Sequence, residues 1–313
     1  MSLKVINPGL QTSVQGRARS GLRHFGVPAS GPADALSLSL ANKLVSAPAD
    51  QAGLEITFGG AEFVFDRPMS FAITGAAVET KLSGQGVPSH KTLKANAGDR
   101  LTIGPVRAGC RVYLSVSGQI QADEFLGSRS TYLPGGFGGK DGRALKAGDR
   151  LHVSEVYQPS ELETPRELRP YFNDNTVLQV CEGPDWSELN EARRTGIFEN
   201  GFQISQRASR MGVELIPEFD FSPDEASSKA SSPVFPGSIQ LPPEGRPFVL
   251  LSDAQTTGGY PHILQVIRSD RFQLGQLKPG GQVRFVLRTA QDAAERMRIR
   301  YKAYSEWIDA PVI

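Results

Sequence analysis

Cysteine is nearly missing from this chain: Cys110 and Cys181 stand alone and far apart. No disulfide framework or zinc cluster can be built from them, which points to a cytoplasmic setting. Histidine is equally sparse, and His90, His152 and His262 lack ligand-like spacing, so no metal site is expected. No basic run tracks a phosphate backbone, and a formal net charge of +1 argues against a nucleic-acid partner. The residues after Met1 contain no apolar signal core, and no stretch approaches the length of a membrane span. Charged helical stretches are also few. What abounds is glycine and proline, 33 and 22 residues, a composition that favours many short strands joined by tight turns.

The stretch from Asp253 to Pro261 is the centre of the chain. It follows a short branched apolar run, Pro247 to Leu251, that reads as a buried strand. It then supplies a carboxylate (Asp253), an amide (Gln255), two hydroxyls (Thr256, Thr257), paired glycines (Gly258, Gly259) and Tyr260. Paired glycines allow close backbone approach to a ligand, and Pro261 stiffens the exit. A decorated turn is the plainer alternative.

Taken in order, residues 11–15 read as a strand, followed by a loop carrying Arg19, Arg23, His24 and Ser30. Ser30 and Pro32 suit the start of a helix over 33–45, whose Leu36, Leu40 and Leu44 share a face; Leu38 lies off it and implies burial on a second side. That helix start could receive an anion or plug a barrel. Strands are expected at 54–58, 62–65, 70–74, 77–82, 100–103 and 111–116. Glu55 sits among apolar neighbours; alternation favours an exposed face over a buried acid of shifted pKa. The glycine-rich loop 135–139, with Gly138, either wraps a ligand or fits another chain, and it lacks the Lys-Ser or Lys-Thr of a phosphate loop. The boundaries expected are a β domain over 1–155, a proline-rich linker over 156–175, a second β domain over 176–288 and a helical tail over 289–313. In the tail Ala293, Met297, Tyr301 and Tyr304 share one face; the 217–233 stretch is polar and expected to be mobile.

The halves repeat. Gln15, Arg19 and Gly21 recur as Gln206, Arg210 and Gly212, Gly127-Ser128 as Gly237-Ser238, and Leu145 to Gly148 as Leu277 to Gly280. A duplicated β domain follows.

Several motifs resemble the allophanate hydrolase subunit 2 group, also called the KipA or biotin-dependent carboxyltransferase family, which includes the C subunit of 5-oxoprolinase. They are Ser13-Val14-Gln15, Arg23-His24, Gly26-Val27-Pro28, Ser30-Gly31, Leu54 to Thr57, Gly127-Ser128-Arg129-Ser130-Thr131, Gly136 to Gly139, Arg210-Met211-Gly212, Pro236 to Gln240 and Asp253 to Pro261. The resemblance covers about residues 4–287 and implies a mainly β fold of two tandem cyclophilin-like barrels with few helices. It also implies a partner of the KipI-like (allophanate hydrolase subunit 1) type, with a LamB/YcsF-like third subunit. Gly16, Tyr132 and Ser209 stand where that pattern has acids, which changes the pocket charge.

By this resemblance the expected reaction is ATP-dependent opening of 5-oxoproline, a small lactam, with ATP used by the complex. The candidates are Arg23, Arg210 and the amides around Gly258-Gly259 for an oxyanion, with Asp253 or Glu55 handling protons and His24 either catalytic or bracing its loop. Ser30, Ser128, Arg129, Gly138, Gln240, Gln255, Thr256, Thr257 and Tyr260 complete the expected substrate-binding set. Two alternatives stay open: carboxyl transfer to a urea-like amide with biotin arriving on a separate carrier, and KipA-like regulation by binding a kinase inhibitor.

Overall fold

The structure is a computed structural model and describes residues 1–219, 221 and 229–308. Residues 220 and 222–228 of the polar run over 217–233 therefore lie outside the described residues. The fold is mainly β, with three α-helices among the described residues. The chain divides into two compact units. The first comprises Met1–Arg19, Ser30–Phe172 and the stretch from Tyr301 onward; the second comprises Ser20–Ala29 and Asn173–Arg300. Contiguous boundaries thus fail at residues 20–29, which pack with the second unit.

In the first unit, ten strands form one sheet. Its main path runs Gln11–Gln15, Gly53–Thr57, Arg100–Val116, Gly59–Phe65, Ser2–Pro8, Arg150–Ser154 and Gln119–Ile120. Two of its strands are longer than the sequence pattern suggests. The stretches 70–74 and 77–82 fuse into Met69–Leu82, and 100–103 and 111–116 fuse into Arg100–Val116. The reason is local: register shifts between Gly75 and Thr80 absorb the glycine that resembles a break, so a bulge stands where a turn is expected. Inward residues such as Val5, Phe63, Phe71, Ile73 and Leu114 form the core.

Helix α1 (Ala35–Leu44) is buried on nearly every side, Leu38 included. Its N-cap is Asp34, not Ser30: the Asp34 carboxylate accepts from the Ser37 amide (2.9 Å) and hydroxyl (2.6 Å). A cap needs extended backbone, which Asp34 has (φ −122°), whereas Ser30 is left-handed at φ 53°. The expected linker is also not loose. The Leu162 amide donates to Thr92 Oγ1 (2.9 Å) and the Thr164 amide to the His90 carbonyl (2.9 Å), so residues 156–172 belong to the first unit.

The second unit is a closed barrel. Its strands run Asn175–Glu182, His262–Val266, Ser238–Gln240, Phe248–Leu250, Gly212–Pro217, Phe202–Ala208 and Gln282–Leu287, and the last pairs in parallel with the first. Leu178, Val180, Phe202, Leu215, Val249 and Leu264 fill it. Helix α2 (Glu191–Glu199), capped by Asn190, buries Ile197. Helix α3 (Ala290–Ile308) opens on a reciprocal cap in which Thr289 Oγ1 accepts the Asp292 amide and Asp292 accepts the Thr289 amide, both at 3.1 Å. Ala293, Met297 and Tyr304 lie on its half-buried face, but Tyr301 is 47% exposed, so the expected apolar face loses one member. No helix among the described residues is long and apolar enough to cross a membrane.

Candidate functional site

The second barrel carries a hollow of about 580 Å³. That lies within the usual range for small-molecule sites, about 300–1,000 Å³. Its walls hold Arg207, Glu214, Gln240, Arg246, Gln255 and Tyr260. Gln240, at the end of a short barrel strand, is almost fully buried. Its Nε2 donates to the Tyr260 carbonyl (3.2 Å), and its Oε1 accepts from Gln255 Nε2 (3.2 Å). Two amides are therefore chained, leaving the pair with donor and acceptor capacity of the kind an amide ligand shares. Gly258 makes this possible: a Cβ there would fall 2.4 Å from Gln240 Nε2. Its neighbour Thr257 joins it in a short pairing with Ser232–Pro233.

Glu214 is the charged centre of the hollow. It is buried, and its carboxylate accepts from the Ser205 hydroxyl (2.7 Å) and Arg207 Nη1 (2.9 Å), with Arg246 Nη1 at 3.9 Å. None of Arg207, Glu214 and Arg246 belongs to the set expected from sequence. A signal was present, since Gly212-Val213-Glu214-Leu215 repeats the form Gly53-Leu54-Glu55-Ile56, placing one acid mid-strand in each half.

Arg210 and Asp253 have a different place from the one expected. Arg210 Nε and Nη2 bind Asp253 Oδ2 and Oδ1 at 2.8 and 3.0 Å, both side chains are almost wholly buried, and Nη2 also reaches Ser252 Oγ (3.2 Å). The arginine is not a solvated loop residue; this bidentate pair anchors the start of the 253–261 loop. Asp253 has both oxygens occupied by it.

Glu55 is likewise buried, not on an exposed face. Its Oε2 accepts from the Ala33 amide and the Tyr113 hydroxyl (2.8 Å each), and Arg111 Nε lies 3.3 Å from Oε1. The Tyr113 hydroxyl in turn accepts the Asp34 amide (2.8 Å). Burial, followed by the charges of Glu55 and Asp34, pushes the Tyr113 hydroxyl well above its ordinary pKa. Glu55, Tyr113 and Asp34 thus take up the amides of Ala33, Asp34 and Ser37 at the start of α1.

The remaining expected residues divide between the units. Arg23 belongs to the second unit, where its Nη2 donates to the carbonyls of Val234 (2.5 Å) and Gln255 (3.1 Å) and its guanidinium lies 5.4 Å from the Phe235 ring. Burial lowers its pKa. His24 is exposed, its ring 3.9 Å from that of Phe25. Thr256 is half-buried, while Thr257 and Tyr260 are exposed at the surface of the loop. Gly259 accepts the Lys229 amide through its carbonyl (2.8 Å).

Ser30, Ser128, Arg129 and Gly138 lie in the first unit. Ser128 Oγ donates to the Arg17 carbonyl, and Arg129 lies 3.6 Å from Glu124 beside a separate hollow of about 430 Å³. Gly138 is bare because Arg19 passes it: a Cβ would fall 2.6 Å from Arg19 Nη2, whose guanidinium lies 4.8 Å from the Phe137 ring. The glycine loop therefore wraps a side chain of its own unit.

Comparison with known proteins places this geometry in a family. The carboxyltransferase domain family, subdomains A and B, matches residues 25–287. The chain is 34% identical to the C subunit of 5-oxoprolinase from Escherichia coli (strain K12), over 97% of this chain and 98% of that protein. It is 30% identical to urea amidolyase of Lachancea kluyveri, over 94% of this chain but only 18% of that much longer protein. The crystal structure of Kluyveromyces lactis urea carboxylase superposes with a TM-score of 0.89 at 29% identity, covering 98% of this chain and 29% of that one. A match over most of its length, carried by both β units, shows that the chain belongs to the carboxyltransferase domain family, subdomains A and B.

Proposed function

We propose that the chain is one subunit of an ATP-dependent hydrolase of small amides or lactams, of the 5-oxoprolinase type, working in the cytoplasm with a KipI-like subunit and a LamB/YcsF-like third subunit. The observation that carries this reading is the end-to-end match to a protein named as a subunit, where the urea amidolyases match through a fraction of their length. The hollow of the second barrel supports it. A lactam offers one N–H and one carbonyl side by side, and the hollow sets a carboxylate, Glu214, near two arginines and a pair of chained amides.

In this reading Glu214 receives the lactam N–H and holds or moves its proton. Arg246 and the Gln255 amide face the carbonyl and stabilise the charge that grows on its oxygen. Arg210 and Asp253 position the loop and do not handle protons. ATP, used by the complex, supplies the driving force; the chain has no glycine loop ending in Lys-Ser or Lys-Thr. The similarity to urea carboxylase favours one second reading, carboxyl transfer to a urea-like amide with biotin on a separate carrier.

Co-purification with the two partner subunits and assay of ATP hydrolysis decides between them. Dependence on 5-oxoproline is the expected result; dependence on a biotinylated carrier and urea would transfer the chain to the second reading. Within the active complex, Glu214→Gln is expected to lower kcat about a hundredfold or more while the melting temperature stays within a few degrees.

A further inference from the structure

Glu214 is gripped by a strand that departs from regular pairing. Phe202–Ala208 pairs antiparallel with Gly212–Pro217, Ile204 lying opposite Leu215 and Ala208 opposite Val213. Ser205, Gln206 and Arg207 therefore share the single place opposite Glu214, and the register shifts there. A bulge of this kind re-aims the side chains it carries. Here it brings both Ser205 and Arg207 onto one carboxylate: Ser205 Oγ donates to Oε2 (2.7 Å) and Arg207 Nη1 to Oε1 (2.9 Å).

The two contacts are unequal. The Arg207 side chain is 78% exposed, where solvent screens an ion pair and side-chain entropy opposes it. Ser205 is buried, and its hydroxyl is oriented as well: Oγ accepts the Arg207 amide (3.1 Å) while its own proton goes to Glu214. A buried hydrogen bond to a charged group outweighs a solvated ion pair. Arg246 Nη1, 3.9 Å from Oε2, is too far to hydrogen-bond. The serine is thus the contact that fixes the rotation of the carboxylate, whereas Arg207 can swing away when a ligand enters.

We infer that Ser205 is a positioning residue for the reaction in this hollow: it locks Oε2 of Glu214 so that the carboxylate meets the N–H of the bound amide in one orientation. An ionised carboxylate has about four acceptor sites, and Ser205 and Arg207 occupy one each, so the acid is held without losing its capacity to accept. A group that receives a proton acts well only when held in line with it. This deepens the hydrolase reading and rests on it, because the handling of the lactam proton by Glu214 is what requires the fixed orientation. The bulge then has a purpose in the barrel: it sets a donor under the acid that a regular strand would not supply.

The test is a steady-state assay of 5-oxoproline-dependent ATP hydrolysis by the complex with its two partner subunits, carrying the wild-type chain, Ser205→Ala or Ser205→Thr. Activity is expressed per folded chain, from circular dichroism at the assay temperature, because alanine also leaves the Arg207 amide without its acceptor. Ser205→Ala is expected to lower kcat roughly tenfold, the worth of one charge-assisted hydrogen bond, with KM within about twofold of wild type. Ser205→Thr keeps the hydroxyl and suits a strand, so its kcat is expected to stay within about threefold of wild type. An unchanged kcat in Ser205→Ala overturns the role, as does a loss that disappears per folded chain or one carried wholly by KM. A folded threonine variant as slow as the alanine one also overturns it. The two readings fail separately. A wild-type complex without 5-oxoproline-dependent hydrolysis retires the hydrolase reading and takes the role of the serine with it, whereas an active complex indifferent to Ser205→Ala retires that role alone.

Discussion

Arg210 and His90 show how far burial changes the meaning of a residue. Because the Arg210–Asp253 pair is buried and bidentate, Arg210→Ala leaves a buried carboxylate without its partner. The expected cost is about 3–5 kcal/mol of stability, so this variant loses structure before activity can be read. Urea denaturation checks it, and Arg210→Ala with Asp253→Ala together should recover much of the loss. His90 is buried in the first unit, with Nδ1 3.3 Å from Thr164 Oγ1. Burial, with the charge of Arg169 second, holds its imidazole down to about 4 from an ordinary 6.5. The folded state keeps it neutral, so as pH falls below 6.5 the unfolded chain takes up the proton first and stability is lost. The full effect, reached near pH 4, is roughly 3 kcal/mol. His90→Asn, chosen because asparagine tolerates the left-handed backbone at φ 61°, should flatten this part of the stability–pH curve relative to wild type.

At the level of elements, glycines decide which loops can hold their shape. Gly138→Ala sets a methyl 2.3 Å from the Ser130 carbonyl and 2.6 Å from Arg19 Nη2, at φ 71°. It should cost roughly 2 kcal/mol or more and lower the melting temperature. Gly258→Ala meets the flexible end of Gln240 instead. It should disturb the amide chain and reduce kcat/KM of the complex while shifting the melting temperature little. Strand identity was legible in the sequence because alternation and β-branched runs report directly on pleated surfaces, and the all-round burial of α1 was visible in Leu38. Element length was not, because a glycine in a bulge and a glycine in a turn read alike. The Asp253–Pro261 loop was legible from its density of polar groups, and Gln240, Gln255 and Tyr260 do line the hollow. Glu214 was not singled out although its repeat of the Glu55 stretch was visible, and the burial of Arg210 was not foreseen because its partner Asp253 lies 43 residues away and leaves no local pattern.

For the molecule as a whole, the two units do not correspond to two lengths of chain. Residues 20–29 lie in the first half of the sequence yet belong to the second unit, where Arg23 holds the carbonyls of Val234 and Gln255. A fragment of 173–300 should therefore unfold at lower denaturant than the same fragment with 20–29 fused to it; equal midpoints would show that the segment contributes no stability. The barrel carries a related constraint. Among the described residues Asn175–Glu182 has its parallel partner in Gln282–Leu287, so the seam is sewn by the earliest and latest strands of that unit. During synthesis the cylinder stays open, with two unpaired edges exposed, until the final strand leaves the ribosome. Those open edges, more than the finished barrel, are where aggregation during synthesis is expected to start.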